Sequence, residues 1–156
     1  MKIFNDVYFT ELTKEAQTDR RLRKMQNLHL NYSDPFQKMF NVLHFGTYIR
    51  PHRHLTAQKS ELLLAVVGGF KVILFDDKGI VSEVITCQPG IRKVASGVEI
   101  PFDCWHTVYP VSQFCVIFEG KGGPFVEAEA KDYAPWSPEE YSREAKYYLD
   151  KLMKFY

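Results

Sequence analysis

The sequence predicts an all-β fold, a sandwich or a barrel, flanked by helical segments. The prediction rests first on a series of short runs rich in Val, Ile, Phe and Tyr: "FQKMFNVLHF", "TYIRPHRH", "ELLLAVVG", "FKVILFDD", "IVSEVITC", "VEIPF", "WHTVYPV" and "FCVIFEG". Gly, Pro or Asp separates them, and the gaps are too short for crossover helices. It rests second on the turn chemistry of "FDDKGI", which joins two of these runs as a hairpin.

Ahead of the strands, "NDVYFTELTKEAQTDRRLRKMQ" predicts a helix from about Asp6, followed by a charged stretch. In "NLHLNYSDPFQ" the pair Asp34-Pro35 marks a turn. The end, "SPEEYSREAKYYLDKLMKFY", reads as a helix. Ser137 is placed as N-cap, Pro138 at the first helical position, and Glu140 as the return half of a capping box. Tyr141, Ala145, Tyr148, Leu149, Leu152 and Met153 fall at helical spacing on one face, as expected for a helix docked on the barrel. The chain thus divides into one domain over residues 1–136, N-terminal segment included, and a C-terminal amphipathic helix over residues 137–156.

A chain of 156 residues, 46% of them hydrophobic, can bury a proper core. Its formal charge of +1 argues against nucleic acid or an anionic membrane as the main partner. The charges scattered through "MKIFNDVYFTELTKEAQ" do not fit a signal peptide, and no apolar run is long enough to span a bilayer. Cys87, Cys104 and Cys115 are odd in number and form no CxxC pair, which favours reduced thiols and a cytoplasmic location.

The stretch "GTYIRPHRHLTAQKSELLLAVVGG" carries the chemistry. Side chains two apart on a strand share a face, so His52 and His54 turn to one side and Arg53 to the other. Glu61 opens the next strand, and a hairpin return would set its carboxylate beside them. Burying that carboxylate is costly without a positive partner, and a divalent metal supplies one. The stretch alone leaves a structural histidine pair as an equal reading. His106 in "EIPFDCWHTVYP" adds a further donor, whose alternative is a histidine capping a turn under Trp105. Three imidazoles and a carboxylate suit one divalent transition ion, Zn, Fe, Mn, Ni or Cu, with positions left for water or substrate.

These residues resemble the cupin family. Its first motif reads G-x5-H-x-H-x(3,4)-E-x6-G; here stand Gly46, His52, His54, Glu61 and Gly68, with only the segment "LTAQKS" before Glu61 longer than the pattern. In the second motif Asp103 replaces the turn glycine and Pro110 stands in place of Asn. Asp tolerates a left-handed turn better than most residues. More narrowly, "NLHLNYSDPFQKMFNVLHFGTYIRPHRH", "FEGKGGPF" and "KDYAPWSPEE" are similar to the WbuC-like cupin metalloproteins over residues 1–140. The resemblance implies a double-stranded β-helix, a jelly-roll barrel, holding a metal through His52, His54, Glu61 and His106. It also implies a homodimer.

Cupin pockets lie inside the barrel, so inward polar residues are the substrate candidates. Arg50 has the fork suited to a carboxylate or phosphate, and Tyr48 a proton or hydrogen bond to give; these are the catalytic candidates. Lys59 would overhang the mouth, and Asn27 and His29 would close one end. Each has a plainer reading: a salt bridge at the rim, half-buried packing, a solvated loop lysine, strand-edge polars. Cys104 reads as a small buried filler, and Asp132 and Trp136 as residues that dock the tail.

The leading expectation is a metal-dependent enzyme acting on a small polar metabolite, and the resemblance favours a sugar or sugar nucleotide of O-antigen biosynthesis. Isomerase, epimerase and oxygenase chemistry all fit the ligand set. The alternatives are a metal-free isomerase or epimerase with a His base and a Tyr acid, or a barrel that binds and senses a small ligand without turning it over.

Overall fold

In the computed structural model, which describes residues 1–55 and 59–155, two antiparallel sheets face each other and enclose a core. One sheet holds β1 (Arg23–Asn27), β2 (Phe36–His44), β9 (Phe114–Gly122), β4 (Glu61–Val67) and β7 (Gly97–Ile100), in that order. The other holds β10 (Asp132–Tyr133), β3 (His52–Arg53), β8 (Trp105–Pro110), β5 (Phe70–Phe75) and β6 (Val81–Cys87). This is an all-β fold as the short apolar runs predict, and the jelly roll that the resemblance implies. No helix among the described residues is long and apolar enough to cross a membrane.

The alternation along each strand decides what faces what. Inward residues Leu43, Leu63, Phe70, Val72, Val108, Cys115 and Ile117 form a dry core between the sheets. The outward faces carry the helices. Helix α1 (Asp6–Thr18) is capped by Asn5, whose side chain accepts from the Tyr8 amide, and it lays Phe9, Leu12 and Ala16 on Phe40, Val42 and Val116. Helix α2 (Arg143–Leu152) buries Ala145, Leu149 and Leu152, and Leu152 with Tyr148 and Met153 packs on the other sheet against Ile73, Phe75, Trp105 and Tyr109.

Gly46 and Gly68, the ends of the first motif, have φ of +91° and +63°, a region that favours glycine. At Gly68 a Cβ would also meet the Phe114 carbonyl at 2.5 Å. The Asp76 carboxylate closes the predicted hairpin by accepting from the Lys78 and Ile80 amides at 2.9 and 2.8 Å.

Three local readings are corrected. The charged stretch after α1 holds a strand, β1, whose side chains are only half buried at a sheet edge and so show no apolar alternation. Helix α2 starts later than the capping box at Ser137 suggests. Tyr141 takes a φ of +68° and breaks the run, and Ser142 is the N-cap, accepting from the Ala145 amide at 3.2 Å. Ser137 and Glu140 have other partners: Ser137 donates to the Ala134 carbonyl, and Glu140 grips Arg23 through both carboxylate oxygens at 2.7 Å. Finally, only His52 and Arg53 of "TYIRPHRH" are strand.

Asp103 adopts a φ of +60°, as expected for a residue standing where the motif has glycine. Its carboxylate also pairs with Arg53 at 2.9 Å. A β-branched side chain cannot take that conformation cheaply, so Asp103→Val is expected to cost about 1–2 kcal/mol, measurable by chemical denaturation. Asp103→Gly relieves the strain, and its cost should be confined to the lost surface pair.

Candidate metal centre

His52 on β3 and His106 on β8 are register partners, and both point inward. His54 keeps the parity of His52, whereas Arg53 turns outward to Asp132, Asp103 and the face of Trp105. Ring centroids lie 4.5 Å apart for His52–His106, 5.2 Å for His52–His54 and 5.6 Å for His54–His106. One nitrogen from each of the three rings lies within 4.8 Å of the others.

The other nitrogens are tied back. Nδ1 of His52 meets the Arg50 carbonyl at 2.9 Å, Nδ1 of His54 the Ala130 carbonyl at 2.6 Å, and Nδ1 of His106 the Cys104 carbonyl at 2.9 Å. A carbonyl only accepts, so each Nδ1 carries a proton, and in the neutral ring Nε2 is the nitrogen left with a lone pair. Burial keeps the His52 pKa well below its ordinary value, so its ring is neutral.

Glu61 comes from the opposite sheet. The expected hairpin return is corrected: β4 pairs with β7 and β9, not with β3, and Glu61 reaches the histidines across the barrel. Its Oε2 lies 3.2 Å from His106 Nε2 and 3.5 Å from His54 Nε2. Burial alone would raise the Glu61 pKa. The carboxyl is nonetheless held well below the ordinary range, with the Lys121 ammonium beside it. An ionised oxygen and two bare ring nitrogens therefore face one another at close range. Such an arrangement is repulsive unless a cation sits among the lone pairs. The donor set fits a divalent transition ion, with the three carbonyls behind the rings fixing their orientation.

Strand β9 supplies a group that sequence reasoning missed. Glu119 is buried, and Lys121 bridges it to Glu61, with Nζ 2.7 Å from Glu119 Oε1 and 3.6 Å from Glu61 Oε1. The Asn41 amide donates to the second Glu119 oxygen. Burial first, and then the charge of Glu61, push the Glu119 carboxyl up to about 7 despite Lys121. The signal was present: Glu119 and Lys121 stand at alternate positions of an otherwise apolar strand, hence on its inner face.

A raised pKa means that the metal-free folded chain holds this proton more tightly than the unfolded chain. The stabilisation is fully present below pH 4.5 and is lost as pH rises through about 7. Between those limits the apo protein is expected to lose stability, and Glu119→Gln to lose less of it. Denaturation at pH 5 and pH 8 measures both slopes.

A cavity opens beside His54, lined among others by Gln37, His54, Lys59, Glu61, Lys121 and Phe125. Lys59 stands at its wall, with Nζ donating to the Pro124 carbonyl at 3.1 Å. Residues 56–58 of the long segment before Glu61 lie outside the described residues.

Tyr48 and Arg50 make their contacts elsewhere. The Tyr48 hydroxyl donates to the Pro138 carbonyl at 2.9 Å, and its ring packs on Tyr148. Arg50 donates to Ser137 Oγ at 3.2 Å and to the Ala134 carbonyl at 3.3 Å. Both hold the C-terminal segment, because residues 47–51 ahead of the pair are not strand and the tail contacts them. Tyr133 is the tyrosine next to the rings, 6.3 Å from His52. Asn27 has a buried Oδ1 without a hydrogen-bond partner, and His29 sits on the Lys38 backbone beside Tyr32. Neither lines the cavity. Cys104 packs at the edge of the inner core, while Trp136 docks on Phe75 and Trp105.

A jelly roll whose inner face gathers three histidines at one end is the architecture of a cupin. The chain belongs to the family described as "Domain of unknown function (DUF6016)", whose model matches residues 4–87. No match is found among curated proteins. Among solved structures it is similar to protein SO0799 from Shewanella oneidensis, at 8% identity and a TM-score of 0.61, covering 84% of this chain and 85% of that one. It is also similar to a cupin 2 domain-containing protein from Halorhodospira halophila, at 16% identity and a TM-score of 0.52, covering 86% and 82%. KdgF from Halomonas sp. is similar at 14% identity and a TM-score of 0.53, covering 71% and 87%. At these identities the likeness is one of fold.

Proposed function

We propose that this chain is a metal-dependent cupin enzyme acting on a small polar metabolite, with His52, His54, His106 and Glu61 as the ligands of one divalent transition ion. The observation that carries the reading is the cluster of bare Nε2 atoms facing an ionised, buried Glu61 at 3.2–3.5 Å. When bound, the ion supplies Lewis acidity toward a carbonyl or hydroxyl oxygen, or an acidified water.

The chain's own residues do the rest. The carbonyls of Arg50, Ala130 and Cys104 orient the rings, and Lys121 steadies Glu61 from behind. The apolar core below the site closes it to water from that side. The WbuC-like motifs support a sugar or sugar nucleotide of O-antigen biosynthesis as substrate and a cytoplasmic homodimer as the working form. Tyr48 and Arg50 take the role of seating the tail in this reading. That weakens the metal-free alternative, which needs the Tyr48 hydroxyl as its acid.

The test is elemental analysis by mass spectrometry of the purified protein and of His52→Ala. About one transition ion per chain in the first and its loss in the second is the expected result. Protein that stays metal-free after anaerobic reconstitution overturns the reading.

A further inference from the structure

We propose that the cavity beside His54 takes a small hydroxy acid or hydroxyalkyl phosphate, with Lys59 as counter-charge to its oxyanion. This rests on the metal reading above and names the substrate class of the same site.

Lys59 carries the charge argument. Its stem lies against Gly122, where a Cβ would come within 3.3 Å of the lysine Cγ, and this close approach holds the side chain along the cavity wall. The ammonium donates to a neutral carbonyl, that of Pro124. Among the described residues no carboxylate pairs with it. Lys121, deeper in the cavity, is held between Glu119 and Glu61. With a divalent ion in place, two ammoniums and the ion outweigh those two carboxylates by two charges. A site with that excess favours an anion.

The hydroxyl follows from Gln37. This side chain is 1% exposed and lines the cavity. Its Nε2 donates to backbone carbonyls of the loop before β2, the shortest contact being 2.8 Å to Asp34. Its Oε1 is buried without a hydrogen-bond partner. A buried acceptor of that kind calls for a donor, and an anion alone brings none. A hydroxyl on the same short skeleton supplies it, while Pro124, Phe125 and Val126 give the carbon atoms an apolar wall.

Calorimetry on zinc-loaded protein tests this with three probes on one three-carbon skeleton: glycerate, glycerol 3-phosphate and the neutral glyceramide. Zinc content is measured on the same samples. Glycerate or glycerol 3-phosphate is expected to bind at least about tenfold more tightly than glyceramide, and Lys59→Gln to remove about tenfold of the anion's affinity. The stronger anion assigns carboxylate or phosphate. Lys59→Gln should leave zinc content unchanged. Equal binding of the three probes, no binding of any, or anion binding indifferent to Lys59→Gln overturns the proposal and leaves the metal reading standing. Protein that takes up no zinc overturns both.

Discussion

His106→Ala protein is expected to purify folded and without metal. His106 is 1% exposed, lies opposite His52 in register, and meets Glu61 across the barrel, so it stands where both sheets contribute to the site. Removing a partner one shell away from a metal ligand already costs about 10–100-fold in affinity. Removing the ligand itself should cost at least about 100-fold, so a preparation that carries metal in the wild type should carry almost none. The fold should survive, because the apolar cluster of Leu43, Phe70, Val72 and Ile117 is untouched. Elemental analysis beside a circular-dichroism spectrum checks both halves. His29→Ala is the control: His29 sits on the Lys38 backbone, and its loss should leave metal content unchanged. Retention of metal by the folded His106 variant at the wild-type level would remove it from the ligand set.

Ending the chain after Trp136 should be the most damaging change to stability. The lost segment holds the buried Ala145, Leu149 and Leu152, and Leu152 packs with Ile73, Phe75, Trp105 and Tyr109. Two buried leucines alone account for about 3–6 kcal/mol. The truncation also removes Ser137 from Arg50, Pro138 from Tyr48 and Glu140 from Arg23, leaving part-buried polar groups unpaired. Domains of this size are stable by about 5–15 kcal/mol in total, so the truncated chain should be largely unfolded or aggregated at room temperature. Leu152→Ala is the graded version, expected to cost about 2–4 kcal/mol by denaturant titration. A truncated chain that unfolds as cooperatively and at the same midpoint as the whole would show that the helix is an appendage.

The strands that proved legible in the sequence are those with one face in the core. "FKVILF" and "FCVIFEG" announce themselves because burial demands Val, Ile and Phe at fixed parity. His52, His54, Glu61 and His106 were legible for the opposite reason: polar groups at inward positions are costly unless they are used. The route that brings Glu61 to the rings was not legible, since sheet membership is set by long-range pairing and local pattern carries no trace of it. Tyr48 and Arg50 share the parity of the histidines, but parity fails outside regular strand, and their partners lie 84–90 residues away. The start of α2 was misplaced because Ser137 and Ser142 have the same capping chemistry, and only the contact with Arg50 tells them apart.

The two-residue strand β3 lies between β8 and β10, and its bonds reach far along the chain. The His54 ring is set by Ala130, 76 residues later, and Arg53 by Asp132, 79 residues later. During synthesis, therefore, His54 and Arg53 leave the ribosome long before the residues that orient them. The nascent chain passes through most of its length with His52, His54 and Glu61 exposed as loose, unselective donors. Only when the β10 residues emerge does the ring geometry close. An ion bound as proposed would therefore meet its full set of oriented donors only late in folding.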